Sequence, residues 1–176
     1  MTDLKSLGYV KVQTADIERW RQFAFDVLGF AKGSGPDPDA LYLRMDERTA
    51  RIIVVPGDAD RIVTVGWEVR DGAALRRVQA TLDSAGVPWK QLSLEEADAR
   101  RVDEVIAFAD PAGNDVEVFH GAVLDHSPVV TPFGARFVTE GLGLGHVVLP
   151  AQDAKGLFAF YTEVLGFLPR GAFRVP

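Results

Sequence analysis

The chain has 176 residues, 47% of them hydrophobic and 25% charged, with a net charge of −6 and a pI near 5.0. That composition can bury a core and is not that of a disordered chain, and the length allows one domain or one and a fraction. With no cysteine there is no disulfide, thiolate nucleophile or zinc-thiolate site, and no cluster of Lys and Arg reads as a phosphate-binding stripe, Arg100-Arg101 being only a pair, so nucleic acid is not an expected partner. No apolar run approaches 18 residues and no apolar leader opens the chain, so a membrane span and a secretory signal are not expected and the cytoplasm is the expected location.

Residues 7–13 read as a strand rich in Val and Tyr. Asp16 offers a helix N-cap, Ile17, Trp20, Ala24, Val27 and Leu28 fall at helical spacing on one buried face, and Gly29 supplies the stop. Lys32 to Asp39 reads as a loop. Residues 40–45 and 51–55 read as a hairpin, followed by a turn at Pro56-Gly57-Asp58 and a strand over 62–69. Asp71 caps a helix from about 72 to 85, with Leu75, Val78 and Leu82 inward and Gly86 as the stop. The polar run Leu92 to Arg101 reads as a short helix or exposed loop. Val105 to Phe108 and Val116 to Phe119 are strands on either side of a turn at Asp110-Pro111-Ala112-Gly113-Asn114. Residues 7–120 thus form two βαβββ-like units, an α+β arrangement around a mixed sheet.

After residues 121–143, which carry no clear periodicity, the chain repeats itself. Residues 144–167 align with 7–30 without a gap at an offset of 137, and nine of the 24 positions are identical: Leu7, Gly8, Val10, Asp16, Phe23, Val27, Leu28, Gly29 and Phe30. Unrelated segments of average composition would share about one or two. A strand is expected at 144–149, an N-cap at Asp153, and a helix with Leu157, Phe160, Tyr161, Val164 and Leu165 inward. One substitution in the repeat bears on chemistry: His146 stands where the first copy has Tyr9. On a strand, His146 and Val148 share a face. The division expected is therefore 1–121 as a first domain, 122–143 as a connector, and 144–176 as the first strand and helix of a second, incomplete domain. A strand and one helix cannot bury their apolar faces alone, so this segment is expected to pack on the first domain or on a second chain.

Other candidates have plainer readings. Glu117 is a vestige or a strand-surface residue. His120 and His126 read as loop or structural histidines whose spacing matches no compact metal motif; the alternative is a His–His–Glu cluster with Glu117. Glu95, Glu96 and Asp98 lie in a polar run that reads as a solvated face, and Gly113 serves a turn. Trp20, Phe23 and Phe160 read as core.

Several stretches together resemble the vicinal-oxygen-chelate superfamily, and within it the two-domain extradiol ring-cleavage dioxygenases. They are Leu7-Gly8-Tyr9 with Val27-Leu28-Gly29, Leu41 to Asp46, Phe108 to Asn114 with Glu117 to Gly121, and Arg136-Phe137-Val138-Thr139 leading into Gly143 to Leu149. The resemblance implies paired βαβββ units in each domain and Fe(II) held only in the second, by a His on its first strand, a His on the strand opening its next unit, and a Glu on its last. His146 falls on the first of these positions, and Val148 would line the substrate pocket. The other two ligands would lie beyond Pro176, so no catalytic set is complete in this chain and no bound iron is expected. In the first half the equivalents are Tyr9, Thr64 and Glu117, one of three retained, which implies a metal-free structural domain. The function implied is meta cleavage of a catechol-type substrate, biphenyl-type or steroid-type, with dioxygen, by a homo-oligomer. Two alternatives stand beside it. One is a non-catalytic small-molecule binding module of the bleomycin-resistance type, with an apolar trough at Trp67, Phe108 and Phe119. The other is a metal-dependent lyase or isomerase.

Overall fold

A computed structural model describes residues 2–134, 136–139 and 143–171. The ends expected for the connector and for the second segment, at 140–142 and 172–176, lie outside them. Eight strands form one mixed sheet in the order β2-β3-β4-β1-β5-β8-β7-β6. They are β1 (Leu4–Thr14), β2 (Ala31–Lys32), β3 (Leu41–Arg44), β4 (Ile52–Pro56), β5 (Arg61–Val69), β6 (Trp89–Gln91), β7 (Glu104–Ala109) and β8 (Asp115–His120). The helices are α1 (Ile17–Gln22), α2 (Gly72–Ser84), α3 (Leu94–Asp98) and α4 (Ala154–Ala159). β1 runs parallel to β4 and β5 parallel to β8, and the two βαβββ units meet where β1 pairs antiparallel with β5.

Local chemistry accounts for the helices. Asp16, Asp71 and Asp153 each accept a backbone amide hydrogen of the first turn of their helix. Ser93 and Glu96 close a reciprocal capping box on α3. α1 and α4 each run on into a π-turn, Phe23–Val27 and Phe160–Val164, closed by Leu28 N–H to Phe23 O (3.0 Å) and Leu165 N–H to Phe160 O (3.2 Å). The extra residue in a π-turn rotates the next side chains around the axis. Val27 and Leu28, expected on the buried face of the first helix, are exposed, as is Phe23, while Ala24 is buried and Phe25 packs against the core. In the second copy the counterparts of Phe23 and Leu28, Phe160 and Leu165, are buried against the core under α2, so the neighbouring surface and not the π-turn decides their burial.

α1 and α2 lie on one face of the sheet. Under α2 the core gathers Leu7, Val10, Val65, Leu75, Val78, Val116 and Val118, and the second copy adds Phe160 and Leu165 to it. The restarted segment thus packs on the βαβββ units before it, as its apolar content requires. Trp67 meets Phe167 edge to face at 4.7 Å, and Tyr161 O–H donates to Asp110 Oδ2 at 3.1 Å. Asp110 also binds the amides of Ala112 and Asn114, and Asn114 Nδ2 reaches Pro150 O, so the Asp-Pro-Ala-Gly-Asn turn both closes the β7–β8 hairpin and docks α4.

Residues 144–149 differ from expectation. They form no strand. The segment joins the sheet at one point, a bridge from Gly143 to Leu7 with Leu144 N–H on Leu7 O (2.9 Å). β1 has β5 along one side and β4 along Val10–Thr14 of the other, which leaves only its first residues open to the segment. The connector lies back over the first unit. Arg44 binds the Asp125 carboxylate (2.7 Å) and Ser127 O, and Phe137 stacks on Phe30 at 5.2 Å.

Candidate functional site

The opposite face of the sheet carries α3, and a β-bulge in β1 puts Tyr9 there. Leu7 pairs with Trp67 and Tyr9 with Gly66, so Gly8 is the additional residue on β1. The bulge sends Leu7 and Val10 to the α2 face and Tyr9 to the other, where its ring lies 4.9 Å from that of Phe119. Gly8 is required: a Cβ would come within 2.2 Å of the Phe119 ring. Arg51 Nη1 holds the Gly8 carbonyl at 2.8 Å and its Nη2 pairs with Asp46 at 2.7 Å, tying the bulge to the β3–β4 hairpin.

Across three adjacent strands Tyr9 registers with Gly66 and Gly66 with Glu117. Thr64, the position expected for the second imidazole, precedes the Asp71 cap by seven residues, as Tyr9 precedes the Asp16 cap. Thr64 lies two residues away on β5 and spends its hydroxyl on Asp115 O, whereas the residue between Tyr9 and Glu117 is Gly66. A side chain there would strike the Tyr9 ring, with a Cβ 2.4 Å from Cζ, so the glycine is the counterpart of the large tyrosine beside it.

Glu117 is neither exposed nor idle, at 3% accessibility. It accepts the Tyr9 hydroxyl hydrogen and a side-on pair from Arg100, Nε to Oε2 at 2.7 Å and Nη2 to Oε1 at 2.6 Å. Arg100 also donates through Nη1 to Glu96 O (2.8 Å) at the end of α3. Burial opposes the charge on Arg100, but the hydrogen bonds and charge of Glu117 outweigh it and hold the guanidinium protonated beyond its ordinary range. Burial, then the Glu117 charge, pushes the Tyr9 phenol well above its ordinary value. Burial and the nearby Arg100 lower Lys11, on the same face. The cavity left beside Tyr9, Arg100 and Phe119 is about 10 Å³, barely the room of one water.

The remaining candidates are scattered. His146 and Val148, expected on one strand face, are both exposed, Val148 at 80%. His120 bonds Glu104 at 3.0 Å and His126 is exposed. Glu95, Glu96 and Asp98 are solvated, with Glu96 serving as a cap. Trp67 and Phe108 lie on the α2 face and Phe119 on the other, so the three do not bound one trough. Among the described residues no three His, Asp or Glu side chains gather as a metal site, and no helix is long and apolar enough to cross a membrane. Sequence reasoning passed over Arg100, which bonds a residue 17 positions away that no periodicity connects to it.

The eight-stranded sheet of paired βαβββ units, with a carboxylate on the last strand of its inner row, defines the architecture of the vicinal-oxygen-chelate superfamily. Residues 7–57 match the family model described as dihydroxybiphenyl dioxygenase BphC D1. The chain is 47% identical over 173 residues to an iron-dependent extradiol dioxygenase of Rhodococcus jostii (strain RHA1), covering 98% of this chain and 58% of that protein. It is 35% identical over 164 residues to a biphenyl-2,3-diol 1,2-dioxygenase of Sphingomonas paucimobilis, covering 92% and 55%. A crystal structure of a catechol 2,3-dioxygenase superposes with a TM-score of 0.87 at 32% identity, over 98% of this chain and 61% of that one. A Mn(II)-bound glyoxalase from Novosphingobium aromaticivorans shares the fold at 18% identity and a TM-score of 0.76. The chain shares the fold of this superfamily, resembles its extradiol dioxygenases in sequence, and spans about three fifths of the length of the relatives it matches.

Proposed function

We propose that the chain is the N-terminal portion of an Fe(II)-dependent extradiol dioxygenase that opens a catechol-type ring with dioxygen, both oxygen atoms entering the product. In this reading residues 1–121 are a metal-free structural domain and 122–143 a connector. Residues 144–176 begin the catalytic domain, with His146 as the first iron ligand and Val148 as an apolar wall of the substrate pocket. The intact protein is a cytoplasmic homo-oligomer.

The observation that carries the reading is the 47% identity sustained over 98% of the chain with a relative named for iron-dependent extradiol cleavage. The docking of Gly143 and Leu144 on β1, and of α4 on the Asp110 turn, supports it, because it gives the restarted repeat a fixed seat. The residues present do not fit the iron. His146 is one exposed imidazole, and the Glu117 row offers a phenol, a glycine and a carboxylate already engaged by a guanidinium. No catalytic step is assigned to this chain's own groups, and the 176 residues alone are expected to be inactive.

The test is to extend the reading frame past residue 176 in its source DNA and assay both forms anaerobically loaded with Fe(II). The extended protein should turn 2,3-dihydroxybiphenyl or another catechol into a yellow ring-opened product and lose that activity on His146→Ala. Turnover by the 176-residue chain itself, or an extended protein whose activity survives His146→Ala, would sink the proposal.

A further inference from the structure

We propose that the exposed π-turn face of Phe23, Val27 and Leu28 is an interaction surface for the intact protein's own second domain, covered there by the helix equivalent to α2. This rests on the preceding reading, in which the protein continues past residue 176 into a second pair of βαβββ units. Identical side chains on identical turns meet opposite surroundings. Phe23, Val27 and Leu28 have Phe160, Val164 and Leu165 as their counterparts, on the same π-turn. In the second copy Phe160 and Leu165 are buried and Val164 packs beside them, in the core under α2 that also holds Val78, Leu82 and Phe108. In the first copy the three side chains are 45%, 61% and 41% exposed. Single exposed apolar residues are ordinary, but three on one turn make a patch without a partner.

The contacts between the two copies point to what covers it. Leu7 and Leu144, the same position in each copy, meet: Leu144 N–H donates to Leu7 O at 2.9 Å, beside a parallel bridge. The lead-in to the first copy lies on the Leu-Gly-Phe end of the second. Thr2 Oγ1 donates to Leu165 O at 2.9 Å, and a Cβ on Gly166 would come within 3.1 Å of Thr2 Cβ. The lead-in to the second copy lies in turn on the Leu-Gly-Phe end of the first. A Cβ on Gly29 would come within 3.4 Å of Thr131 Cβ, and Phe137 stacks on Phe30 at 5.2 Å.

Equivalent positions in contact, with unlike contacts exchanged in both directions, mark an approximate two-fold relation between the copies. Such an interface is isologous: each contact has a reverse. The second π-turn is seated on the core under α2, so the first has its seat on the counterpart of α2 in the second domain. The partner is thus an amphipathic helix over a sheet, apolar at the positions of Val78 and Leu82 and with a large apolar side chain at that of Phe108.

The test compares the protein extended past residue 176 with the 176-residue chain. A photoreactive benzoylphenylalanine placed at Val27 of the extended protein should crosslink, within the same molecule, to the helix equivalent to α2, as read by peptide mass spectrometry. Val27→Asp with Leu28→Asp should lower the Tm of the extended protein by roughly 5–10 °C and shift that of the 176-residue chain by less than about 2 °C, while Leu165→Asp should lower both. A crosslink to a second molecule or to another segment, or equal shifts in the two forms, would overturn the proposal. Neither readout involves ring cleavage. An extended protein that crosslinks as expected but opens no catechol refutes the catalytic reading alone, and one that opens catechols while Val27 crosslinks elsewhere refutes this docking alone.

Discussion

Replacing Arg100 by Met is the sharpest test of how the first domain is held together. The side chains of Arg100 and Glu117 are 12% and 4% exposed, joined by two charge-assisted hydrogen bonds of 2.7 and 2.6 Å. Methionine keeps much of the arginine stem's volume but leaves the carboxylate with the Tyr9 hydroxyl alone. Breaking one partner out of a buried ion pair costs about 3–5 kcal/mol. For a protein of this size that lowers Tm by roughly 6–20 °C, a large part of the ~5–15 kcal/mol that holds a domain folded. Urea unfolding of the parent, Arg100→Met, Glu117→Gln and the double variant gives the coupling directly. The double variant should be no less stable than Arg100→Met and is expected to recover at least about 1 kcal/mol of the loss, because glutamine can accept from Tyr9 without a buried charge. A cost below about 1 kcal/mol for Arg100→Met, the scale of a solvent-exposed pair, would refute the reasoning.

Two further outcomes are expected. Gly8→Ala should destabilise by about 1–3 kcal/mol through overpacking, since its Cβ would lie 2.2 Å from the Phe119 ring; in chemical unfolding Phe119→Leu should relieve part of that loss, and a purely additive pair would contradict it. Alkaline pH should loosen the fold. Burial and a facing carboxylate raise both Tyr9 and Tyr161, so each contributes stability that is whole below the unfolded phenol value near 10 and is lost as pH climbs above it, at up to about 1.4 kcal/mol per pH unit each. Tyr161→Phe should flatten its share of the decline, measured by urea midpoints between pH 8 and 11, and an unchanged slope would count against it.

The legibility of each feature in the sequence depended on how local its cause is. The caps at Asp16, Asp71 and Asp153 and the stops at Gly29 and Gly86 are decided within one turn, and both βαβββ units were readable from them and from alternation along β5 and β8. β2 and β6 escaped because two or three residues hold no period. The π-turn escaped because Val27 and Leu28 keep the apolar character of a 3.6-residue phase while pointing to solvent. Tyr9 and Glu117 were legible as counterparts through the repeat and the family resemblance. Gly66 and Arg100 were not: one is fixed by register across three strands after a bulge, the other by a bond between a loop and a strand. For 144–149 the strand pattern was real, but a strand also needs an edge to pair with, and composition says nothing about which edges are already taken.

The π-turns mark the two copies of the repeat alike. They occur at the same place in both copies, Phe23–Val27 and Phe160–Val164, and the copies align with no gap. α2, the corresponding helix of the second unit, runs 13 residues in regular α form. The π-turn thus belongs to the repeated segment and is not general to the βαβββ units. The same backbone turn carries opposite burials: Phe160 and Leu165 pack against the core under α2, while their counterparts Phe23 and Leu28 face solvent.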